Sequence, residues 1–225
     1  MENRYQRNIP SITQAEQESL KDKKVAILGC GGLGGFLCEF CARLGIGNII
    51  VCDGDVFEES NLNRQILSTE GNLGTLKAEA AKAYIECTNP ACIVEAVCQP
   101  FSAKNAAFLK DCDVILDALD NAESRLLLEE CAEEYGIPLV HGAVGGWGGQ
   151  SCLILPEMRT LHRLYQDAPE DAQKTVLPFT AAACACQEMA LALKVLTGKS
   201  EKDDADLLFF DLFSGESERI TMEEE

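Results

Sequence analysis

The sequence predicts one α/β domain: a doubly wound, mostly parallel sheet carrying a C-terminal β-hairpin extension. Three observations lead there. Short apolar stretches alternate with helical stretches from about residue 23 to 196. A glycine-rich turn separates the first strand-like stretch from the first long helix. The segment 207–222 breaks that rhythm and reads as two strands about Ser214 and Gly215.

The elements follow in order. Thr13 and Glu16 form a capping box that opens a short helix reaching Leu20. The strand KKVAILG leads into the glycine turn, and a helix covers 32–44. Then come the strand NIIVCD, a polar loop at 61–65, and a helix over 76–86 that Pro90 terminates. The strand CIVEAV and a helix near 105–109 precede the strand DVILDAL; a helix over 122–135 precedes IPLVHGAV. After the turn GGWGG the strand SCLILP begins. The pattern weakens over 157–174, which reads as a mobile, partly helical loop. A long apolar helix fills 178–196 and closes at Gly198. The strands are apolar without alternation, so both faces of the sheet are covered. The domain therefore divides into an N-terminal arm and helix (1–22), a core (23–156), a crossover loop (157–177) and a C-terminal helix with hairpin (178–225).

Composition narrows the functions. With 225 residues, 47% hydrophobic and 25% charged, one ordinary globular core is expected. No apolar run reaches the roughly 18 residues of a membrane helix, and the polar N-terminus lacks a signal-peptide core. A cytoplasmic location is the expectation. A net charge of −18 argues against nucleic acid. The twelve cysteines are expected as reduced thiols. Cys38 and Cys41 form one CxxC inside an apolar helix and read as core, as do Cys184 and Cys186.

Gly29-Cys30-Gly31-Gly32-Leu33-Gly34 matches G-x-G-x-x-G between a strand and a helix, which makes the fold Rossmann-like. Glycine permits the tight turn and lets backbone N–H groups approach a pyrophosphate, helped by the partial positive charge of the helix N-terminus. Asp53 ends the second strand about 20 residues later, where an acidic side chain binds ribose hydroxyls; its other reading is a turn carboxylate. Asp55 divides evenly between the two. An adenine nucleotide is indicated, without distinguishing NAD, FAD and ATP.

Arg64 and Lys77 favour ATP, because hydride transfer has no use for two added cations whereas β- and γ-phosphates do. Asn61 offers an amide donor. Asp117 and Asp120 fall at the end of DVILDAL, at the carboxyl edge of the sheet. A carboxylate there either holds Mg²⁺ between phosphates or, for Asp120, caps the helix starting near Asn121.

The glycine turn, D-x-D, N-L-N-R-Q, the lysine of a G-x-x-K stretch, L-D-x-x-D-N and the opening Arg4-Tyr5-Gln6-Arg7 together resemble the ubiquitin-activating-enzyme-like family of the ThiF, MoeB and HesA type, over about residues 4–222. The resemblance implies an adenylyltransferase. It would activate the C-terminal glycine carboxylate of a ubiquitin-like sulfur-carrier protein as an acyl-adenylate, for thiamine, molybdopterin or another sulfur-containing product. It implies that Gly29, Gly31 and Gly34 line the nucleotide, Asp53 holds the ribose, Asn61, Arg64 and Lys77 grip phosphates, and Asp120 coordinates Mg²⁺. It further implies a homodimer in which Arg7 reaches the partner's site, and a hairpin at 209–221 that contacts the carrier.

Two features depart from that family. The paired CxxC motifs that bind zinc in many relatives are missing, so no zinc is expected. The crossover loop has no cysteine, so a separate sulfur donor is expected in place of a covalent link to the carrier. Trp147, within a glycine-rich turn, either walls a channel for a narrow Gly-Gly tail or covers the core. His141 reads as a satisfied core histidine, and His162 carries no signal. The competing functions are an NAD-dependent oxidoreductase, an ATP-dependent enzyme of this fold acting on a small molecule or tRNA, and a noncatalytic scaffold.

Overall fold

The computed structural model describes residues 3–165 and 175–222. An eight-stranded sheet runs through the molecule: β1 (Lys24–Leu28), β2 (Asn48–Cys52), β3 (Ile93–Val97), β4 (Val114–Asp117), β5 (Leu139–Gly145), β6 (Gly148–Ile154), β7 (Leu207–Asp211) and β8 (Glu216–Ile220), in the order β3-β2-β1-β4-β5-β6-β7-β8. The first five strands in that order are parallel. From β5 onward every pairing is antiparallel. The hairpin β7–β8 thus extends the sheet directly, through the pairing of β7 with β6.

Helices α1 (Gln14–Ser19), α2 (Gly32–Leu44), α3 (Lys77–Thr88), α4 (Ala122–Tyr135), α5 (Thr160–Tyr165) and α6 (Pro178–Leu196) complete the chain. The pleat sorts side chains between two cores. Val25, Ile27, Ile49, Val51 and Leu116 pack toward α2, α3 and α6. Ala26, Leu28, Ile50 and Ile115 pack toward α4, α5 and the 3-10 turn Ala106–Leu109. Each fully buried Leu, Ile or Val contributes about 1.5–3 kcal/mol relative to exposure.

Local chemistry sets the helix ends. The Thr13–Glu16 capping box forms in both directions. Gly45 and Gly136 close α2 and α4 in the left-handed conformation, at φ 79° and 67°, where a side chain would be strained.

Two sequence expectations change, and the partly helical reading of the segment after Pro156 holds where that segment is described. GGWGG is the two-residue turn of a β-hairpin: β5 continues to Gly145 and β6 starts at Gly148, earlier than the strand read from SCLILP. Glycine-rich sequence hides strand because it supplies no side-chain alternation. The charged segment after Pro156 contains α5; residues 166–174 of the expected mobile loop lie outside the described residues. Finally, α6 is long and apolar enough to cross a membrane by length and composition, with mean hydropathy 1.4 over its window. Its buried face, with Ala185, Met189, Ala192 and Leu196, packs on the sheet.

Candidate nucleotide-binding cleft

A cleft of about 330 Å³ opens at the carboxyl ends of β1, β2, β4 and β5. One wall is the glycine turn. Gly29 has φ +95°, and a Cβ there would lie 2.5 Å from the Ala118 carbonyl oxygen, so only glycine fits. Gly31 precedes α2, whose first turn contains no acidic residue. The first N–H groups of a helix have no intrahelical acceptor, so this end of α2 offers donors and a positive dipole to an anion. Gly34 serves packing: a Cβ would fall 1.8 Å from the Gly29 carbonyl oxygen. It does not line the cleft, contrary to expectation, and instead lets α2 sit against its own turn.

Asp53 lines the cleft just beyond β2. Its Oδ2 accepts from the Cys30 N–H at 2.7 Å and its Oδ1 from the Asp55 N–H at 2.8 Å. Burial pushes its carboxyl up, opposed by those two bonds. The turn-carboxylate reading is met, and each oxygen keeps lone-pair capacity beyond its one backbone bond.

Arg64 and Lys77 both line the same cleft. The Arg64 Nη1 donates to the Ser60 carbonyl at 2.9 Å and to Asn63 Oδ1 at 2.8 Å. Lys77 begins α3, is buried, and reaches Asp55 Oδ2 at 3.0 Å. Asn61 is a correction: it is buried away from the cleft, and its Oδ1 accepts from the Glu58 N–H at 3.1 Å in a local cap. Arg7 is exposed on the 3-10 turn Asn3–Asn8. Tyr5 fixes that turn against Gly45 and Asn89, at the C-terminal ends of α2 and α3. Arg7 is thus at the opposite end of the sheet from its own chain's cleft.

Asp120 lines the cleft and is exposed. The helix cap is Asn121, whose side chain accepts from the Ser124 N–H, so Asp120 is not the cap of α4. Asp117 is fully buried and committed elsewhere: Oδ1 accepts from the Leu119 N–H at 3.0 Å, and Oδ2 from His141 Nδ1 at 2.7 Å. It is not a candidate metal ligand. His141 is the satisfied core histidine expected, bonded also to Tyr165 at 3.0 Å. Burial holds the imidazole below its ordinary range, against the pull of Asp117.

Sequence reasoning missed Arg125 and Gln65, both cleft-lining and both buried. Arg125 donates to the carbonyls of Leu119 at 2.5 Å and Gly142 at 3.4 Å, and its Nε stands 3.5 Å from Asp117 Oδ2. A lone arginine in the acidic helix AESRLLLEECAEEY, four residues after the cap, was the available signal. Pro100 and Phe101, beyond β3, give the cleft an apolar wall suited to a base. Cys38, Cys41 and Cys184 are buried free thiols.

The arrangement can hold a polyphosphate between the α2 N-terminus and the cations, a ribose at Asp53, and a divalent ion at Asp120. Comparisons with known proteins identify the family. The chain is 35% identical to the SAMP-activating enzyme E1 of Haloferax volcanii, over 92% of this chain and 80% of that protein. It is 31% identical to the sulfur carrier protein adenylyltransferase of Thermus thermophilus, over 97% of this chain and 86% of that one. Among solved structures, E. coli MccB superimposes with a TM-score of 0.86 at 20% identity, covering 100% of this chain and 71% of that chain, which speaks to the fold. The model of the ThiF family matches residues 5–225. The chain belongs to the ThiF family of E1-like adenylyltransferases.

Proposed function

We propose that this protein uses ATP to adenylate the C-terminal glycine carboxylate of a ubiquitin-like sulfur-carrier protein. One observation carries the reading: Arg64, Lys77, Asp120, Asp53 and the glycine turn line a single cleft. Similar proteins point the same way, including the ThiS adenylyltransferase of Bacillus subtilis, 32% identical over 98% of this chain. MccB, of like fold, has been solved with ATP.

In this reaction a carboxylate oxygen attacks the α-phosphorus. The bond from that phosphorus to the bridging oxygen breaks, giving an acyl-adenylate and pyrophosphate. The carboxylate is already ionised near neutral pH, so no general base is required. This chain's residues contribute positioning and charge. The α2 N–H groups and Gly31 take the phosphates, Asp53 orients the ribose, and Arg64 and Lys77 offset the charge gathering on the leaving pyrophosphate. Asp120 supplies the one carboxylate Mg²⁺ commonly takes beside phosphates, and the ion would neutralise further phosphate charge. Arg7, remote from its own cleft, acts in a homodimer by entering the partner's. The hairpin and Trp147 meet the carrier. The sulfur comes from a separate donor, and the reaction takes place in the cytoplasm, where the thiols stay reduced. An NAD oxidoreductase would leave Arg64, Lys77 and Asp120 idle.

The test is to incubate the protein with ATP, Mg²⁺ and carriers ending in Gly-Gly and to weigh the carrier. A carrier heavier by one adenylate is expected, with carrier-dependent exchange of labelled pyrophosphate into ATP. ATP binding without either signal on any carrier, or with adenylation of a small carboxylic acid instead, sinks the carrier assignment.

A further inference from the structure

Behind the cleft, five side chains from five elements form one continuous network of hydrogen bonds and an ion pair: Gln150 on β6, Tyr165 on α5, His141 on β5, Asp117 on β4 and Arg125 on α4. Their roles follow from what each can donate. Asp117 is acceptor-only, so His141 carries its proton on Nδ1 and donates to Asp117 Oδ2 at 2.7 Å. His141 Nε2 is then an acceptor, and the Tyr165 hydroxyl donates to it at 3.0 Å. The Gln150 amide donates to the Tyr165 oxygen at 2.9 Å. The Tyr165 ring lies 4.9 Å from the Arg125 guanidinium, which pairs with Asp117 at 3.5 Å. The network ends on one peptide unit pair at the cleft. Asp117 accepts the Leu119 N–H and Arg125 donates to the Leu119 carbonyl, so residue 119 is gripped on both sides, immediately before Asp120.

We infer that Tyr165 and His141 are positioning residues of the cleft, acting through Asp117 and Arg125 to fix the turn 118–121 that presents Asp120. Tyr165 is anchored independently of the cleft. The carboxylate of Glu129 accepts the N–H groups of Leu161 and His162, at 2.6 and 3.0 Å, and so ties down the start of α5. The position of α5 therefore reaches the metal-side turn through a buried path. Neither residue lines the cleft.

The inference rests on the adenylation reading for its kinetic arm but not for its spectroscopic one. Tyr165→Phe keeps the ring on Arg125 and deletes the hydroxyl, which donates to His141 and accepts from Gln150; Tyr165→Leu deletes the ring contact as well. The chain has two histidines, so their ring signals in NMR are assigned by His162→Asn. The groups facing His141 are Asp117 of β4, Arg125 and Glu129 of α4, Tyr165 of α5, and Cys152 and Gln150 of β6, the Gln150 amide nitrogen lying 3.4 Å from Nε2. The Tyr165 hydroxyl favours neutral His141, so its removal raises the pH at which His141 protonates.

In pyrophosphate exchange, Tyr165→Phe is expected to lower kcat about tenfold with KM for ATP little changed. The acid limb of the rate profile moves to higher pH along with the His141 titration. Tyr165→Leu is expected to lower kcat further than Tyr165→Phe does. Mg-ATP added to the wild type shifts the His141 signals. Wild-type kcat and an unmoved acid limb in Tyr165→Phe, or His141 signals indifferent to Mg-ATP, overturn the inference. If no carrier supports exchange, the function proposed above fails, and the Mg-ATP response of His141 still decides this one.

Discussion

Replacing Glu188 by glutamine should shift stability progressively in the variant's favour as pH rises above about 4.5. Glu188 sits in the middle of α6 with no exposed surface. Its Oε1 accepts from the Cys184 thiol at 3.8 Å, while Oε2 has no hydrogen-bond partner. It fills the space left by Gly142, where a Cβ would lie 2.0 Å from Oε1. Burial, with Asp117 adding repulsion, pushes its carboxyl well above the ordinary value of 4.5. The folded state thus keeps a proton that the unfolded chain releases. A raised pKa contributes stability that is complete below about 4.5 and is lost as pH climbs through the folded value. Between those limits the loss is about 1.4 kcal/mol per pH unit for one proton. Glutamine cannot titrate, and any fixed cost of burying its second N–H displaces its stability equally at every pH. Urea unfolding of both proteins at several pH values above 4.5 should therefore show the stability difference growing by about 1.4 kcal/mol per unit until the folded carboxyl itself ionises. With a slope of about 2–3 kcal/mol per molar urea, midpoints separate by about 0.5 M per pH unit over that rise. Parallel stability curves would mean that Glu188 is ionised when folded, or titrates as in the open chain, and would refute the reasoning.

Other expectations concern the cleft and its surroundings. Arg64→Ala and Asp120→Ala should each lower pyrophosphate exchange by about 10²–10³, the loss typical of one preorganised charge-stabilising contact. Melting temperatures should stay near wild type, because Asp120 is exposed and Arg64 is half-buried. Gly34→Ala should expand the glycine turn or unfold the protein, since its Cβ would meet the Gly29 carbonyl oxygen at 1.8 Å; a soluble variant with unchanged melting and ATP affinity would show that the turn yields. Trp147 packs on Phe179 at 5.2 Å and Phe213 at 5.5 Å, all three exposed. Trp147→Ala should raise KM for the carrier about tenfold and leave KM for ATP alone, as measured by exchange at saturating levels of the other substrate.

What the sequence revealed was whatever one segment could encode. The glycine turn, Asp53, Arg64 and Lys77 each lie beside a predicted strand end, and strand ends converge on one edge of a parallel sheet, so placing the elements placed these residues. Asn61 misled because an amide in a polar loop can cap its own backbone as readily as bind a phosphate, and here the Glu58 N–H claims it. Gly34 misled because G-x-G-x-x-G does not say which glycine faces the ligand and which admits the helix. Asp117, Arg125, His141, Gln150 and Tyr165 were invisible as a group: they come from five elements and meet only through the pleat that turns β4, β5 and β6 toward α4 and α5. The hairpin β5–β6 was hidden by its glycines, which carry no alternation to read.

The charge of −18 poses a question that the cleft answers locally. A triphosphate must enter an acidic molecule, and among the described residues two of the three cleft cations are already balanced: Lys77 by Asp55 and Arg125 by Asp117. Those pairs differ. Asp117 is fully buried and fixed, whereas the Asp55 side chain is 75% exposed. An incoming phosphate can therefore take Lys77 from Asp55 while water solvates the released carboxylate, but it cannot displace Asp117 cheaply. Asp55→Asn removes the competing anion without touching the two backbone bonds of residue 55, its N–H to Asp53 and its carbonyl to the Lys77 N–H. Because the Asp55 carboxylate stays 75% exposed, the pair is screened by water and worth about 0.2–1 kcal/mol, so Mg-ATP should bind about 1.5- to 5-fold more tightly in the variant at low ionic strength. At about 1 M salt, where the Debye length falls to roughly 3 Å, the two proteins should converge. Calorimetric titration at both salt levels measures this. Weaker binding in the variant would show that Asp55 places the Lys77 ammonium and does not merely compete for it.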